Sequence, residues 1–298
     1  MLNSDARHTF SYESMGTSWE ISIWDNIPQE QLTEIKEGVI GMSRTFDETY
    51  SRFIKTSLVW RLATEPGTTE IPGDLTQMLL VYQRLYHPSD KKLNPLIGFS
   101  ISDLGYDADY TLTPKESIRA TPDFEETLTL KLPNSLTLRE PALIDVGALG
   151  KGFFVDKIAT LLSSRGIERY LVNGSGDIFY CGGKKGAEIA INVGLEDPAD
   201  SQKVLGIIAL KRGSICASGI NRRVWSTYNH VIDPHTLSSP TETLATWVMA
   251  PTATYADALA SCLFFVEPEK LSEFTFEYCI LNKDRNIKRS AGFTAELF

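Results

Sequence analysis

The sequence predicts an α+β fold: a single large domain of mixed, mostly antiparallel sheets with helices packed against them. Three observations carry that expectation. Strand-like alternation and helix-like three- and four-residue spacing both occur along the 298 residues, but not in the regular order of a doubly wound sheet. No low-complexity linker or internal repeat divides the chain. A hydrophobic content of 42% with 22% charged residues supplies enough apolar material for a sizeable core.

From residue 10 to 24, apolar and polar residues alternate on both sides of Met15-Gly16-Thr17, which predicts strand, glycine break, strand. From residue 29 to about 46, Leu32, Ile35, Val39, Met42 and Phe46 form the stripe of an amphipathic helix. A second helix is expected over 75–85. Residues 107–126 are polar and weakly patterned, and are expected to make a surface excursion within the domain. LTLKLPNSLTLRE then reads as a hairpin around Pro133-Asn134-Ser135. A helix should begin near Gly150, run through Phe154, Ile158 and Leu162, and stop at Gly166. Strands are expected over 169–172, 178–180, 188–193, 205–210 and 245–249, followed by an apolar helix from near Tyr255.

A formal net charge of −9 argues against nonspecific nucleic-acid binding, which needs clustered basic surface. Cys181, Cys216, Cys262 and Cys279 contain no CxxC pair, so buried reduced thiols are expected rather than a metal cluster or redox motif. The opening MLNSDARHTF lacks the apolar run of a signal peptide, and no stretch has the length of a membrane helix. The chain as given therefore reads as cytoplasmic. His8 is assigned to a frayed terminus without a role.

Four segments could carry chemistry. In IDVGALGKGFFVDKIATLL, a carboxylate leaves a strand, passes Gly147 and Gly150, and meets a helix start where anionic groups are favoured; a plain strand-to-helix turn with a capping Asp fits equally well. In YLVNGSGDIFYCGG, Asn173 to Asp177 form a compact polar turn, read as a structural hairpin that supports a site rather than performs a reaction. NHVIDPHTLSSP offers His230, which could accept a proton near neutral pH, whereas His87 and His235 read as satisfied polar groups. In APTATYADALASCLFF, Asp257 and Ser261 are four apart on one helix face, where they could give oxygen ligands to Mg²⁺ or simply be a helix-start Asp and a packing Ser.

Taken in order, these segments resemble the FAD:protein FMN transferase family, also called the ApbE family. MGTSW, FDETYSRFIKTSLVWRL, DVGALGKGFFVDKIATLL, YLVNGSGDI, INVGLEDP, HVIDPHT and YADALAS each resemble a block of that family, from about Phe10 to Val266. The resemblance implies FAD as donor, Mg²⁺ as cofactor and a Thr or Ser hydroxyl on an acceptor flavoprotein as target. By position it implies FAD contacts from Met15, Phe53, Lys92, Leu93, Asn94, Asp145, Lys151 and Ile232. It implies magnesium contacts from the carbonyl of Ala148, the carboxylate of Asp257 and the hydroxyl of Ser261, with His230 accepting the proton of the attacking hydroxyl.

The sequence departs from the family pattern at several points. Ser261 replaces a Thr but keeps the hydroxyl. Asn94 replaces an Asp, Leu96-Ile97-Gly98-Phe99 replaces Thr-Val-Gly-Pro, and Leu237 replaces a Gly, so its turn is expected to take another shape. Two further readings of the same residues are an FAD pyrophosphatase with water as acceptor and a non-catalytic flavin-binding protein.

Overall fold

Period-two alternation sorts the side chains of the central strands onto two faces. Tyr170 and Val172 face one cluster of buried residues and Leu171 the other; Cys216 and Ile215, Val248 and Trp247, and Ile280 and Leu281 divide in the same way. In the computed structural model, which describes residues 7–298, these strands belong to an eight-stranded antiparallel sheet. Its order is His8–Ser14, Thr17–Ile23, Arg169–Gly174, Asp177–Gly182, Arg212–Gly219, Thr243–Ala250, Glu277–Asn282 and Ile287–Arg289. The reading of the amino terminus rests partly on residues 1–6, which lie outside the described residues.

One face of this sheet packs against the helices Gln29–Tyr50, Gly73–Tyr86, Gly150–Ser164 and Ala253–Cys262. The opposite face packs against a three-stranded sheet of Ile191–Asp197, Asp200–Leu210 and Glu296–Leu297. A second three-stranded sheet joins Gly67–Glu70 to the hairpin Leu128–Lys131 and Ser135–Leu138. The α+β, mostly antiparallel architecture is the one the sequence predicts.

The glycine break at Met15-Gly16 is a two-residue turn with both residues at positive φ, as a tight hairpin demands. The first helix runs to Tyr50, one turn beyond the expected end, because Phe46 and Tyr50 continue the buried stripe. The helix from Gly150 ends at Ser164, and Gly166 follows at φ +76° in the left-handed position that closes a helix.

Other expectations need correction. His8 is not frayed; it opens the first strand opposite Ile23. The strand expected over 188–193 runs Ile191–Asp197, because the buried alternation of Ile191, Val193 and Leu195 continues past Gly194. The strand expected from 205 begins at Asp200, where its exposed polar half extends beyond the core and carries no apolar signal.

Residues 107–123 contain no helix or strand, and the four-residue helix Phe124–Thr127 follows. The excursion is firmly tied down. Buried Asp103 accepts from Lys115 at 2.7 Å and from Arg119 at 2.6 and 2.7 Å. Burial would raise the Asp103 pKa, but these charged donors hold it at about 2. Among the described residues, no helix is long and apolar enough to cross a membrane.

Candidate functional site

The turn after residue 144 sets the site. Asp145 Oδ1 accepts the Gly147 N–H at 2.7 Å, and its Oδ2 accepts Arg52 Nε at 2.7 Å. Asp145 therefore shapes the loop and orients a buried arginine; it does not cap the helix that follows, whose N-terminus has no side-chain cap. Arg52 also donates to the Tyr106 carbonyl at 2.6 Å.

Asp156, two turns into that helix, reaches the start of the next one. Its oxygens accept the N–H groups of Ala253 at 2.9 Å and Thr254 at 2.8 Å. This bond fastens the helix Ala253–Cys262 against the helix Gly150–Ser164. Gly152 permits the approach: a Cβ there would lie 2.2 Å from the Ala253 carbonyl oxygen. Its N–H donates to Asp257 Oδ2 at 3.0 Å.

The contact brings three charges together. Lys151 Nζ is paired with Asp177 and lies 3.9 Å from Asp257 Oδ1. Both carboxylates are buried, and Asp177 Oδ1 has no hydrogen-bond partner. Burial first and Asp177 second push the Asp257 pKa up, while burial opposes the Lys151 charge and both carboxylates sustain it. Two carboxylates with one ammonium leave the group short of positive charge. Ser261, one turn on from Asp257, donates to the Ala148 carbonyl at 3.3 Å. A carboxylate, a hydroxyl and a carbonyl are the hard oxygen donors that Mg²⁺ takes. Among the described residues, no three His, Cys, Asp or Glu side chains converge on a metal position.

These groups line a cleft of about 470 Å³. Phe53, Lys92, Leu93, Asn94, Asp145, Ala148, Lys151, His230, Ile232, Asp257 and Ser261 all border it. Met15 borders an adjoining hollow that shares Arg52, Phe53 and Asp145 with the cleft. His230 is half-buried, and its Nδ1, which is shielded from solvent, has no partner. Burial, then Arg223, Lys151 and Arg222, push its pKa down to about 3, so the imidazole is neutral at pH 7. Lys92 Nζ pairs with Asp233 at 2.8 Å, which ties the 92–94 segment to the loop after His230. His87 is bound to Glu125 at 3.0 Å on the surface, the satisfied polar group expected of it.

Two departures have clear structural consequences. Asn94 accepts the Leu96 N–H at 2.9 Å and donates from Nδ2 to the Pro122 carbonyl at 2.9 Å. A carboxylate could not make that second bond, and neither polar atom of Asn94 is left without a protein partner. Leu237 sits at φ +54°, with its N–H on the Asp233 carbonyl at 2.9 Å. The leucine holds the left-handed conformation that glycine adopts freely.

Sequence reasoning missed Arg52, Tyr106, Asp177, Arg222 and Arg223, which all touch the site. The segment 173–177 is the expected hairpin, with Ser175 and Gly176 as its two positive-φ turn residues. Its Asp177 is nevertheless the partner of Lys151. The Arg222-Arg223 pair was the available signal for two further cations that border the cleft.

A profile of the ApbE family matches residues 15–278. The FAD:protein FMN transferase of Treponema pallidum is 26% identical over 309 aligned positions, covering 93% of this chain and 85% of that protein. The FAD:protein FMN transferase of Escherichia coli is 26% identical, covering 88% of this chain and 79% of that protein. The same fold recurs in the crystal structure of the ApbE protein from Thermotoga maritima, with a TM-score of 0.80 at 21% identity, 96% of this chain and 97% of that one. It recurs in the flavin transferase ApbE from Vibrio cholerae, with a TM-score of 0.78 at 20% identity and the same coverage. With its family match running from Met15 to Tyr278, a span that contains every residue bordering the cleft, this chain belongs to the ApbE family.

Proposed function

We propose that this protein is an FAD:protein FMN transferase that moves FMN from FAD to a Thr or Ser hydroxyl of an acceptor flavoprotein and releases AMP, with Mg²⁺ as cofactor. The observation that carries this reading is the buried Asp177–Lys151–Asp257 group, which is short of one positive charge beside the oxygens of Ser261 and Ala148. Membership of the ApbE family supports it, as do relatives named for this activity.

Ala148 O, Asp257 and Ser261 are the residues that would hold Mg²⁺, and the chemistry it supplies there is neutralisation of charge on the phosphoryl oxygens and the leaving group. Lys151, Arg222 and Arg223 border the cleft and can receive a diphosphate. Phe53, Leu93 and Ile232 supply apolar wall for the rings of the donor. His230 is neutral, with a free ring nitrogen facing no protein partner, and so can take the proton of the acceptor hydroxyl. It is a weak base, because burial first and then three cations oppose its protonation. A diphosphate anion received by those cations would offset their share of that opposition.

Incubation with FAD, Mg²⁺ and an acceptor flavoprotein, read by intact mass, tests the proposal. The expected result is a gain of one FMN on the acceptor. Release of FMN and AMP without labelling would make the protein a pyrophosphatase, and intact FAD in every arm would make it a flavin-binding protein. Asp257→Ala should abolish Mg²⁺-dependent turnover while the protein stays folded; unchanged turnover would remove Asp257 from the metal site. His230→Ala should slow transfer while FAD affinity is largely kept.

A further inference from the structure

Tyr110 is an aromatic residue without a place in the core. It is 52% exposed, yet its ring stacks on Phe53 with centroids 5.2 Å apart and planes 13° from parallel. Arg52 also covers the Phe53 ring, at 4.1 Å, and Tyr106 meets it edge-on at 5.1 Å. Phe53 borders the cleft, and Tyr110 borders the adjoining hollow that shares Phe53, Arg52 and Asp145 with it.

The backbone around Tyr110 is built to hold this pose. Tyr110 and Leu112 both sit at φ +51°, a region that costs any side chain bearing a Cβ. The turn is kept by Asp107, whose carboxylate accepts from the N–H groups of Asp109 and Thr111 and from the Thr111 hydroxyl, and by the Leu112 N–H on the Gly105 carbonyl at 2.8 Å. Strain at two exposed residues that bury little is spent on aiming one ring at Phe53. At 5.2 Å the two rings leave no room for a third between them, since a sandwiched ring needs about 7 Å between the outer two.

We propose that Tyr110 is a clamp for a flat ring of the dinucleotide donor: it lifts from Phe53 by about one ring thickness and closes on the outer face of the incoming ring. The clamp rests on the reading of FAD as donor, and it gives the 107–123 excursion a function in ring recognition.

Full-length wild type, Tyr110→Ala and Tyr110→Phe are titrated with FAD, with flavin fluorescence and calorimetry as readouts. Tyr110→Ala should weaken FAD binding roughly five- to ten-fold and relieve part of the fluorescence quenching, whereas Tyr110→Phe keeps both. Separate titrations with FMN and ADP identify the ring: the ligand whose affinity falls in Tyr110→Ala carries it. Unchanged or tighter binding of all three ligands by Tyr110→Ala overturns the clamp. Failure of the wild type to bind FAD would instead remove the donor assignment on which the clamp rests.

Discussion

Replacing Gly152 with alanine puts a methyl group 2.2 Å from the Ala253 carbonyl oxygen, 2.6 Å from its carbon and 2.8 Å from Asp257 Cβ. The first two obstacles are backbone, so no rotamer change relieves them, and the two helices must separate by about 1 Å to restore ordinary contact. Overpacking of this kind costs about 1–3 kcal/mol. The Gly152 N–H to Asp257 bond lengthens with the separation, and a hydrogen bond to a charged group is worth about 1.5–3 kcal/mol. Alanine's better helix propensity returns about 1 kcal/mol. The expected net loss is about 1.5–5 kcal/mol, read as a lower urea midpoint at unchanged slope, with a raised Mg²⁺ requirement for transfer. Gly41→Ala, in an exposed helix position with nothing within 4 Å, is the control and should stabilise by about 0.5–1 kcal/mol. A Gly152→Ala protein as stable as wild type, with the same Mg²⁺ requirement, would refute the close helix contact as the device that positions Asp257.

Three further outcomes are expected. His230 is neutral when folded, with its pKa lowered from 6.5 to about 3, so the unfolded chain binds the extra proton and stability is lost as pH falls from about 6.5 towards 3. Between pH 6.5 and 5 the loss is about 2 kcal/mol, and His230→Gln should flatten that part of the stability profile; an unaltered profile would contradict the depressed pKa. Asn94→Asp removes the donor to the Pro122 carbonyl and should cost about 1–3 kcal/mol in denaturant unfolding, whereas a gain in stability would show that the amide is not needed there. Asp103→Asn weakens the anchors of Lys115 and Arg119, so proteolysis should cut first within 107–123 while the sheet stays intact; cleavage elsewhere would mean that the excursion is held by other contacts.

The sequence was most legible where packing imposes a period. The helices Gln29–Tyr50 and Gly150–Ser164 carry apolar stripes, and the hairpins at Met15-Gly16 and Ser175-Gly176 carry their turn chemistry openly. The strand Arg212–Gly219 was not legible, although it pairs with a strand on each side in the large sheet. Its residues Gly213, Ser214, Cys216, Ala217 and Ser218 have weak strand preference, and the small Cys216 faces the helix Ala253–Cys262, with its Sγ on the Ala253 carbonyl. Site partners were hidden for a different reason. Arg52 and Asp145 are 93 positions apart, and Lys151 and Asp177 are joined only by the way a hairpin folds back on a helix. A carboxylate in a turn shows its charge to a reader of the sequence, but not the lysine it will be buried against.

The departures from the family pattern sharpen that lesson. Read residue by residue, Leu237 for Gly implies a different turn and Asn94 for Asp implies a lost charge in the cleft. The surrounding structure takes up both changes. Leu237 accepts left-handed strain of about 1–2 kcal/mol, offset by the Asp233–Ser238 bridge and the Lys92–Asp233 ion pair that hold the loop on either side. Asn94 exchanges a charge for a donor that grips Pro122 and so fixes the carboxyl-terminal end of the excursion whose other end carries Tyr110. The second exchange has a functional side. A chain that gives up a carboxylate at the cleft edge, but spends the position on anchoring an aromatic-bearing loop, shifts recognition of the donor from charge to ring stacking. Asn94→Asp and Tyr110→Ala should therefore be coupled: if the amide serves the clamp, the effect of Tyr110→Ala on FAD affinity shrinks in the Asn94→Asp background, and strict additivity of the two changes in binding free energy would separate the anchor from the clamp.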